Sequence, residues 1–142
     1  MSRRSGLSAW AVFLIVCPAL VVLTLVSIAG PTLRKDRRYV AELSALADIK
    51  TLQTDEVQYF AQHRQFACSL AALNPSGDWT RDEKDGYRFT LTCVGDSYRI
   101  AAAPVAFNVT GTRTFFSDAS RVVHENDGPE PATVNSKIVG TR

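Results

Sequence analysis

The first pattern along the chain is an apolar run that carries no charged residue from Leu7 to Ala29. At about 1.5 Å per helical residue, a run of this length spans a hydrocarbon core of about 30 Å. A cleaved secretory signal has a shorter apolar region, of about 7–15 residues. The pattern therefore predicts a transmembrane helix over residues 7–30, in contact with membrane lipid, after a short basic segment over residues 1–6.

After Pro31 the pattern becomes amphipathic and predicts a stalk helix over residues 31–66. Neither glycine nor proline occurs from Leu33 to Phe66, and apolar residues recur there at spacings of three, four and seven. The predicted apolar stripe consists of Tyr39, Leu43, Leu46, Leu52, Val57 and Phe60. The predicted polar side consists of Glu42, Asp48, Lys50, Asp55, Glu56 and Gln58. We expect the stripe to cover the apolar face of a sheet.

From Gly86 onward apolar and polar residues alternate with a period of two, which predicts strands with one buried face. Gly95 and Asp96 lie between two such runs and predict a hairpin. A second hairpin is predicted around residues 118–120. The head is therefore placed at residues 67–125, beginning with a loop over 67–85, and the polar tail 126–142 is expected to be flexible.

Together these elements predict an α+β fold in which one long N-terminal helix packs on an antiparallel sheet of three or four strands. The length of 142 residues allows one modest soluble domain besides the membrane helix. The net charge is only +2, and acidic and basic residues are interspersed after Arg38. No basic face tracks a phosphate backbone, so nucleic acid is not expected as a partner.

The residues that carry chemistry in enzymes do not converge in this sequence. His63 and His124 have no second histidine or cysteine at metal-ligand spacing. The acidic residues at 82, 83 and 85 match no defined calcium loop, and no nucleophile, phosphate-binding or metalloprotease motif occurs. We therefore expect no enzyme activity, no metal, no cofactor and no small-molecule substrate.

Cys68 and Cys93 are the only cysteines outside the apolar run. The pair suits a disulfide in an oxidising compartment, which would close a loop of about 25 residues and stabilise the head by roughly 3 kcal/mol. The alternative is two unpaired, small apolar residues. The charges that flank the apolar run favour a cytoplasmic head instead. The flank with more basic residues normally lies in the cytoplasm, and the run is followed by Arg34, Lys35, Arg37 and Arg38 but preceded only by Arg3 and Arg4.

Three parts of the sequence resemble the type IV pilin and type II secretion pseudopilin family, over about residues 6–124. MSRRSG resembles a short prepilin leader, and GPTLRKDRRYVAELSALADIK resembles the helix that leaves the membrane. GYRFTLTC, YRIAAAPV and RTFFSDASRVV resemble the strands of the head. The resemblance implies cleavage between Gly6 and Leu7 and a single span in the inner membrane. It also implies a cytoplasmic N-terminus and a periplasmic or extracellular head.

The departure from this family lies in the apolar run. Counted from Leu7, the fifth position holds Ala11 where the family has a glutamate that pairs with a neighbouring subunit. Small residues for close helix packing remain, at Ala9, Ala11, Ala19, Ser27 and Gly30. The expected function is that of a non-catalytic subunit that binds other pilin-like subunits through this helix in a filament or secretion apparatus. The alternative is a membrane-anchored binding module that does not polymerise.

Overall fold

The computed structural model describes the backbone of residues 9–73 and 82–140, and the side chains of residues 35–73 and 82–140. Two compact units divide the chain, Met1–Asp36 and Arg37–Arg142, and the sheet lies in the second unit. The predicted cleavage position at Gly6 and Leu7 lies outside the described residues. The side chains of the predicted helix-packing residues Ala9, Ala11, Ala19, Ser27 and Gly30 lie outside them as well.

The helix α1 runs from Ala9 to His63 and contains the predicted stalk up to that residue. Within the described part of the chain, no helix combines the length and the apolar content that crossing a membrane requires. The predicted span over residues 7–30 falls where side chains are not described. A second helix, α2, covers only Leu70–Leu73, inside the segment that the sequence predicts as a loop.

The sheet has six strands that pair antiparallel in the order of the chain. The strands are β1 Glu83–Lys84, β2 Tyr87–Val94, β3 Ser97–Pro104, β4 Arg113–Asp118, β5 Val123–Asp127 and β6 Lys137–Ile138. Both predicted hairpins are present, β2–β3 around Gly95 and Asp96 and β4–β5 around residues 119–122. The α+β class is thus confirmed, but the expected number of three or four strands is too low. The two extra strands have two residues each, too few to show any alternation.

The tail differs from the flexible segment that the sequence predicts. Strand β5 continues to Asp127, and Lys137 of β6 pairs with Glu125. Ala132 is buried, and the Nδ1 atom of His124 lies 2.8 Å from the carbonyl oxygen of Ser136. Because these contacts join residues far apart in a polar, proline-containing sequence, the local pattern does not reveal them.

The core lies between α1 and one face of the sheet. From the helix it takes Ala45, Ile49 and Leu52. From the sheet it takes Tyr87, Phe89, Leu91, Tyr98, Ile100, Ala102 and Phe115. Phe115 is buried and the adjacent Phe116 only half-buried, as expected for neighbours that point to opposite faces of a strand.

The buried face of α1 is not the predicted apolar stripe. Of the six stripe residues, only Leu52 is fully buried, whereas Tyr39, Leu43, Val57 and Phe60 are exposed. Glu42, Asp48 and Glu56, which the sequence places on the polar side, are buried instead. The prediction fails because spacing alone assumes a purely apolar interface, and this interface accepts acidic groups that have partners on the sheet and its loops.

Candidate functional site

Glu42 is buried where α1 meets the start of β4. Its Oε1 atom accepts hydrogen bonds from the backbone nitrogen and the hydroxyl of Thr112, both at 2.8 Å. Its Oε2 atom accepts a hydrogen bond from Nε of Arg113 at 3.0 Å. Burial alone would raise the pKa of Glu42, but the hydrogen bonds from Thr112 and Arg113 and the charge of Arg113 lower it overall. Glu42 is therefore a stable buried carboxylate.

Arg113 extends this contact into a charged network across the sheet. Its guanidinium lies 2.8 Å from Glu42 and 2.6 Å from Glu125 on β5, and Glu125 in turn lies 3.3 Å from Lys137 on β6. Burial by itself would lower the pKa of Arg113, but the two carboxylates raise it. The network thus connects α1 to the three strands β4, β5 and β6.

The other inward polar residues of α1 also contact the sheet or the loops beside it. Asp48 lies 2.8 Å from Nζ of Lys84, and Nε2 of Gln53 donates to the Ser117 hydroxyl at 2.6 Å. Within the acidic segment 82–85, Asp85 accepts a hydrogen bond from Ser44 and Glu83 pairs with Arg88. Glu83 and Asp85 are thus engaged in separate contacts. Among the described residues, no group of histidine, cysteine and acidic side chains has an arrangement that would hold a metal.

Glu56 is fully buried and only partly satisfied. Its Oε2 atom accepts a hydrogen bond from the backbone nitrogen of Ala67 at 3.0 Å, but its Oε1 atom and the buried hydroxyl of Tyr98 have no hydrogen-bond partner among the described residues. Burial raises the pKa of Glu56, and the charge of Asp55 adds to this effect. Burial and the nearby Glu56 raise the pKa of Tyr98 to about 12.

The outer face of α1, defined by Tyr39, Val40, Leu43, Val57 and Phe60, is exposed and largely apolar. These side chains keep between 39% and 62% of their surface accessible. Lys50 is exposed between them, whereas Glu42, Asp48 and Glu56 are turned inward. The helix thus presents an apolar and locally basic surface to its surroundings, which is the reverse of an ordinary stalk on a soluble head.

The predicted disulfide is present between Cys68 and Cys93. It joins the turn that follows α1 to the end of β2, and it lines an open cleft of about 660 Å³. We call this the aromatic cleft, because Tyr59, Phe60 and Phe66 line it together with Arg64 and Asp96. The rings of Phe60 and Phe66 are 4.7 Å apart, and Phe66 meets Tyr98 edge-on at 5.0 Å.

The two histidines lie on different elements and make different contacts. His63 is exposed at the end of α1, with its ring 4.2 Å from that of Tyr59. His124 is buried on β5 beside the tail. Neither has an arrangement in the described structure that resembles a catalytic centre.

No protein-family model matches the chain, and neither the comparison with curated proteins nor that with solved structures gives a match. The sequence identifies the disulfide, but it misses the outer face and the aromatic cleft. The exposed face consists of apolar residues at helical spacing, the same signal that the sequence reading assigns to the core.

Proposed function

We propose that the chain is a single-span, pilin-like subunit that acts without catalysis in the assembly of an envelope filament or secretion apparatus. The observation that carries this proposal is the outer face of α1. Exposed apolar groups clustered on one face are typical of protein or membrane contact, since an isolated soluble head gains nothing by exposing them.

The inward acids of α1 and the spacing of its exposed apolar residues both favour packing of the helix against another helix. Three acids that would keep the helix soluble are held inward by the sheet and its loops, so the outer face is free of them. Tyr39, Leu43, Val57 and Phe60 follow one another at separations of three, four or multiples of seven along the helix. This is the spacing that another helix fits.

The location that we propose is the inner membrane, with a cytoplasmic N-terminus and the head outside. The apolar run 7–30 would anchor the chain, and small residues such as Ala11 and Ala19 would allow neighbouring helices to approach closely. The disulfide supports an oxidising compartment for the head. Cleavage after Gly6 would free Leu7 as the new N-terminus, as the resemblance to prepilins implies.

Photocrosslinking in native membranes tests the packing of α1. A photoreactive phenylalanine analogue at position 43 is expected to give a series of self-adducts, because Leu43 lies on the outer face. The matched control is the same analogue at position 62, an exposed glutamine on another side of the helix. Absence of self-adducts at position 43, or equal yields at both positions, would contradict packing through this face.

Mass analysis of the amino terminus of membrane-extracted protein tests the processing. We expect a chain that begins at Leu7, and a Gly6→Leu variant is expected to keep residues 1–6. Recovery of the intact wild-type N-terminus would show that the chain is not processed as a pilin.

The second candidate is a membrane-anchored binding module, and the aromatic cleft is the observation that favours it. Its volume of about 660 Å³ lies in the usual range of ligand pockets. The same photocrosslinking experiment with the analogue at position 72, in the cleft, tests this function. A single discrete adduct with a different protein from position 72, and none from position 43, would support a binding module over assembly. A series of self-adducts would support assembly.

A further inference from the structure

The loop between β3 and β4 carries apolar side chains that are exposed to solvent. We call residues 105–111 the knob. Val109 keeps 70% of its surface accessible, and Val105 and Phe107 are also exposed. The chain has no charged residue from Ile100 to Thr112. The knob is therefore an uncharged projection with an apolar surface.

Backbone contacts hold the knob in one conformation. The backbone nitrogens of Val109 and Thr110 both donate to the carbonyl oxygen of Ala106, at 3.0 and 2.9 Å. At Gly111, an added Cβ atom would collide with the hydroxyl oxygen of buried Tyr87, so only glycine allows this approach. A loop that is fixed in this way loses little conformational freedom when it binds.

The knob lies at the end of the head where α1 enters it. The Nη1 atom of Arg38, on α1, donates to the carbonyl oxygen of Asn108 at 3.2 Å. Four residues further along the helix, Glu42 accepts a hydrogen bond from the backbone nitrogen of Thr112, directly after the knob, at 2.8 Å. The first turns of α1 in the head therefore run beside the knob.

The opposite end of the head also has exposed apolar residues. Val94 ends β2, about 24 Å from the end of that strand that adjoins the knob. Phe60 lies about 33 Å along α1 from Arg38. Val94 and Phe60 keep 43% and 39% of their surface accessible, close to the 43% and 36% of Val105 and Phe107. They are thus references for an effect that belongs to the knob end alone.

The chain comes to the knob end of the head directly from the predicted span. That span, over residues 7–30, ends eight residues before Arg38. Eight residues reach at most about 29 Å even when fully extended. Residues 34–38 read RKDRR, in which four basic residues and one acidic residue give a net charge of +3. In a chain anchored by the span, the knob and this basic segment are held close to the same membrane surface.

We infer that the knob contacts the membrane surface on the head side of the span. Val105, Phe107 and Val109 enter the boundary between headgroups and acyl chains, and Arg37 lies beside anionic headgroups. This inference rests on the proposed membrane anchor and assigns a second membrane contact to the head. The contact holds the head in one orientation at the membrane.

The polarity and charge of the knob end fit an anionic bilayer. Apolar groups that enter the interface, combined with basic groups that attract anionic lipids, are the features by which proteins bind to membrane surfaces. Glu42, the acid that contacts Thr112 at this end, is buried and paired with Arg113, so it does not oppose the attraction. Because the anchor already holds the head at the membrane, even a weak contact is populated.

Lipid photocrosslinking tests this inference on the purified full chain in vesicles of phosphatidylglycerol and phosphatidylcholine. A photoreactive phenylalanine analogue at position 107 is expected to give phospholipid adducts, identified by the mass of the labelled peptide. The matched control is position 60, also a phenylalanine with similar exposure, which is expected to give none. Position 13, a phenylalanine in the predicted span, is the positive control.

Two further changes test the apolar surface and the charge separately. Val109→Asp is expected to lower the lipid-adduct yield from position 107 about fivefold, because it places an acid against an anionic surface. Val94→Asp is expected to leave that yield unchanged. Vesicles of phosphatidylcholine alone are expected to lower the yield from position 107 about fivefold, the contribution of one basic residue at an anionic surface. The yield from position 13 is expected to stay the same in both kinds of vesicle.

Five results would overturn the inference: no lipid adduct from position 107, protein adducts there in place of lipid adducts, equal yields from positions 107 and 60, a yield that Val109→Asp does not reduce, or equal yields from position 107 in the two kinds of vesicle. If any of these occurs while position 13 still gives lipid adducts, the knob contact is wrong and the proposed anchor stands. If position 13 gives no lipid adduct, the proposed span is wrong and the inference fails with it.

Discussion

Glu42 and Glu56 are two buried glutamates on one helix whose surroundings act on them in opposite directions. Thr112 and Arg113 stabilise the charged form of Glu42 and lower its pKa. Burial at Glu56, together with the charge of Asp55, favours the neutral form and raises the pKa. The same substitution at the two positions should therefore have opposite effects on stability.

We expect Glu42→Gln to lower the free energy of unfolding at neutral pH by roughly 2 kcal/mol, the range of hydrogen bonds to a charged group. Because the folded-state pKa of Glu42 is below its ordinary value of 4.5, its contribution is present above that value. It is lost as the pH falls through the lowered pKa. The difference in free energy of unfolding between the wild type and Glu42→Gln should therefore become smaller at acidic pH.

Glu56→Gln is expected to raise the free energy of unfolding at neutral pH, by on the order of 1 kcal/mol, the cost of an incompletely satisfied buried polar group. The amide oxygen can still accept the hydrogen bond from Ala67. With a raised folded-state pKa, the contribution of Glu56 is present below 4.5 and is lost as the pH rises through the raised value. Urea unfolding of the wild type and both variants at a series of pH values measures these changes in the free energy of unfolding. Changes of equal sign at neutral pH would contradict the predicted opposite effects of Glu42→Gln and Glu56→Gln.

The sequence predicts that these two glutamates lie on a helix, but not that their side chains are buried. The pattern predicts Glu42 and Glu56 on the polar side of the helix, because an amphipathic helix normally turns its acids toward solvent. Their partners, Thr112 and Arg113 for Glu42 and Ala67 for Glu56, come from other elements. No local pattern reveals such pairings.

Among the elements, the junction of α1 with the sheet is held by the Cys68–Cys93 disulfide. Replacing both cysteines by alanine is expected to lower the free energy of unfolding by about 3 kcal/mol, since the loop closed by the bond gains freedom in the unfolded chain. The control is Cys17→Ala, which leaves this pair intact. Urea unfolding with and without reductant measures the effect. Equal midpoints for the double variant and the wild type would contradict it.

Strands with strict alternation were predictable, and edge strands were not. β2 and β3 have eight residues each and alternate buried and exposed positions, so the sequence identifies them and the turn between them. β1 and β6 have two residues each and exist because they pair with a neighbouring strand. The disulfide was predictable because an even pair of cysteines in the head restricts the choice, whereas the cleft beside it depends on three aromatic residues brought together by the fold.

Across the whole head, Arg113 connects the helix to the tail through Glu42, Glu125 and Lys137. Arg113→Met is expected to lower the free energy of unfolding by about 3 kcal/mol, because two buried carboxylates lose their common cation. Arg88→Met is the control, since Arg88 pairs with Glu83 at an exposed position where such pairs contribute less than about 1 kcal/mol. Similar losses for the two variants would show that the network does not stabilise the head.

The disulfide also determines how the head would respond to mechanical load. Cys68 follows α1 by five positions, and Cys93 lies near the end of β2, which pairs with both β1 and β3. A pull along α1 would pass through the sulfur atoms to Cys93, near the end of β2. The chain between the two cysteines, which includes α2, β1 and most of β2, would then carry no tension, and the head could be stretched at its helix without being unravelled from that side.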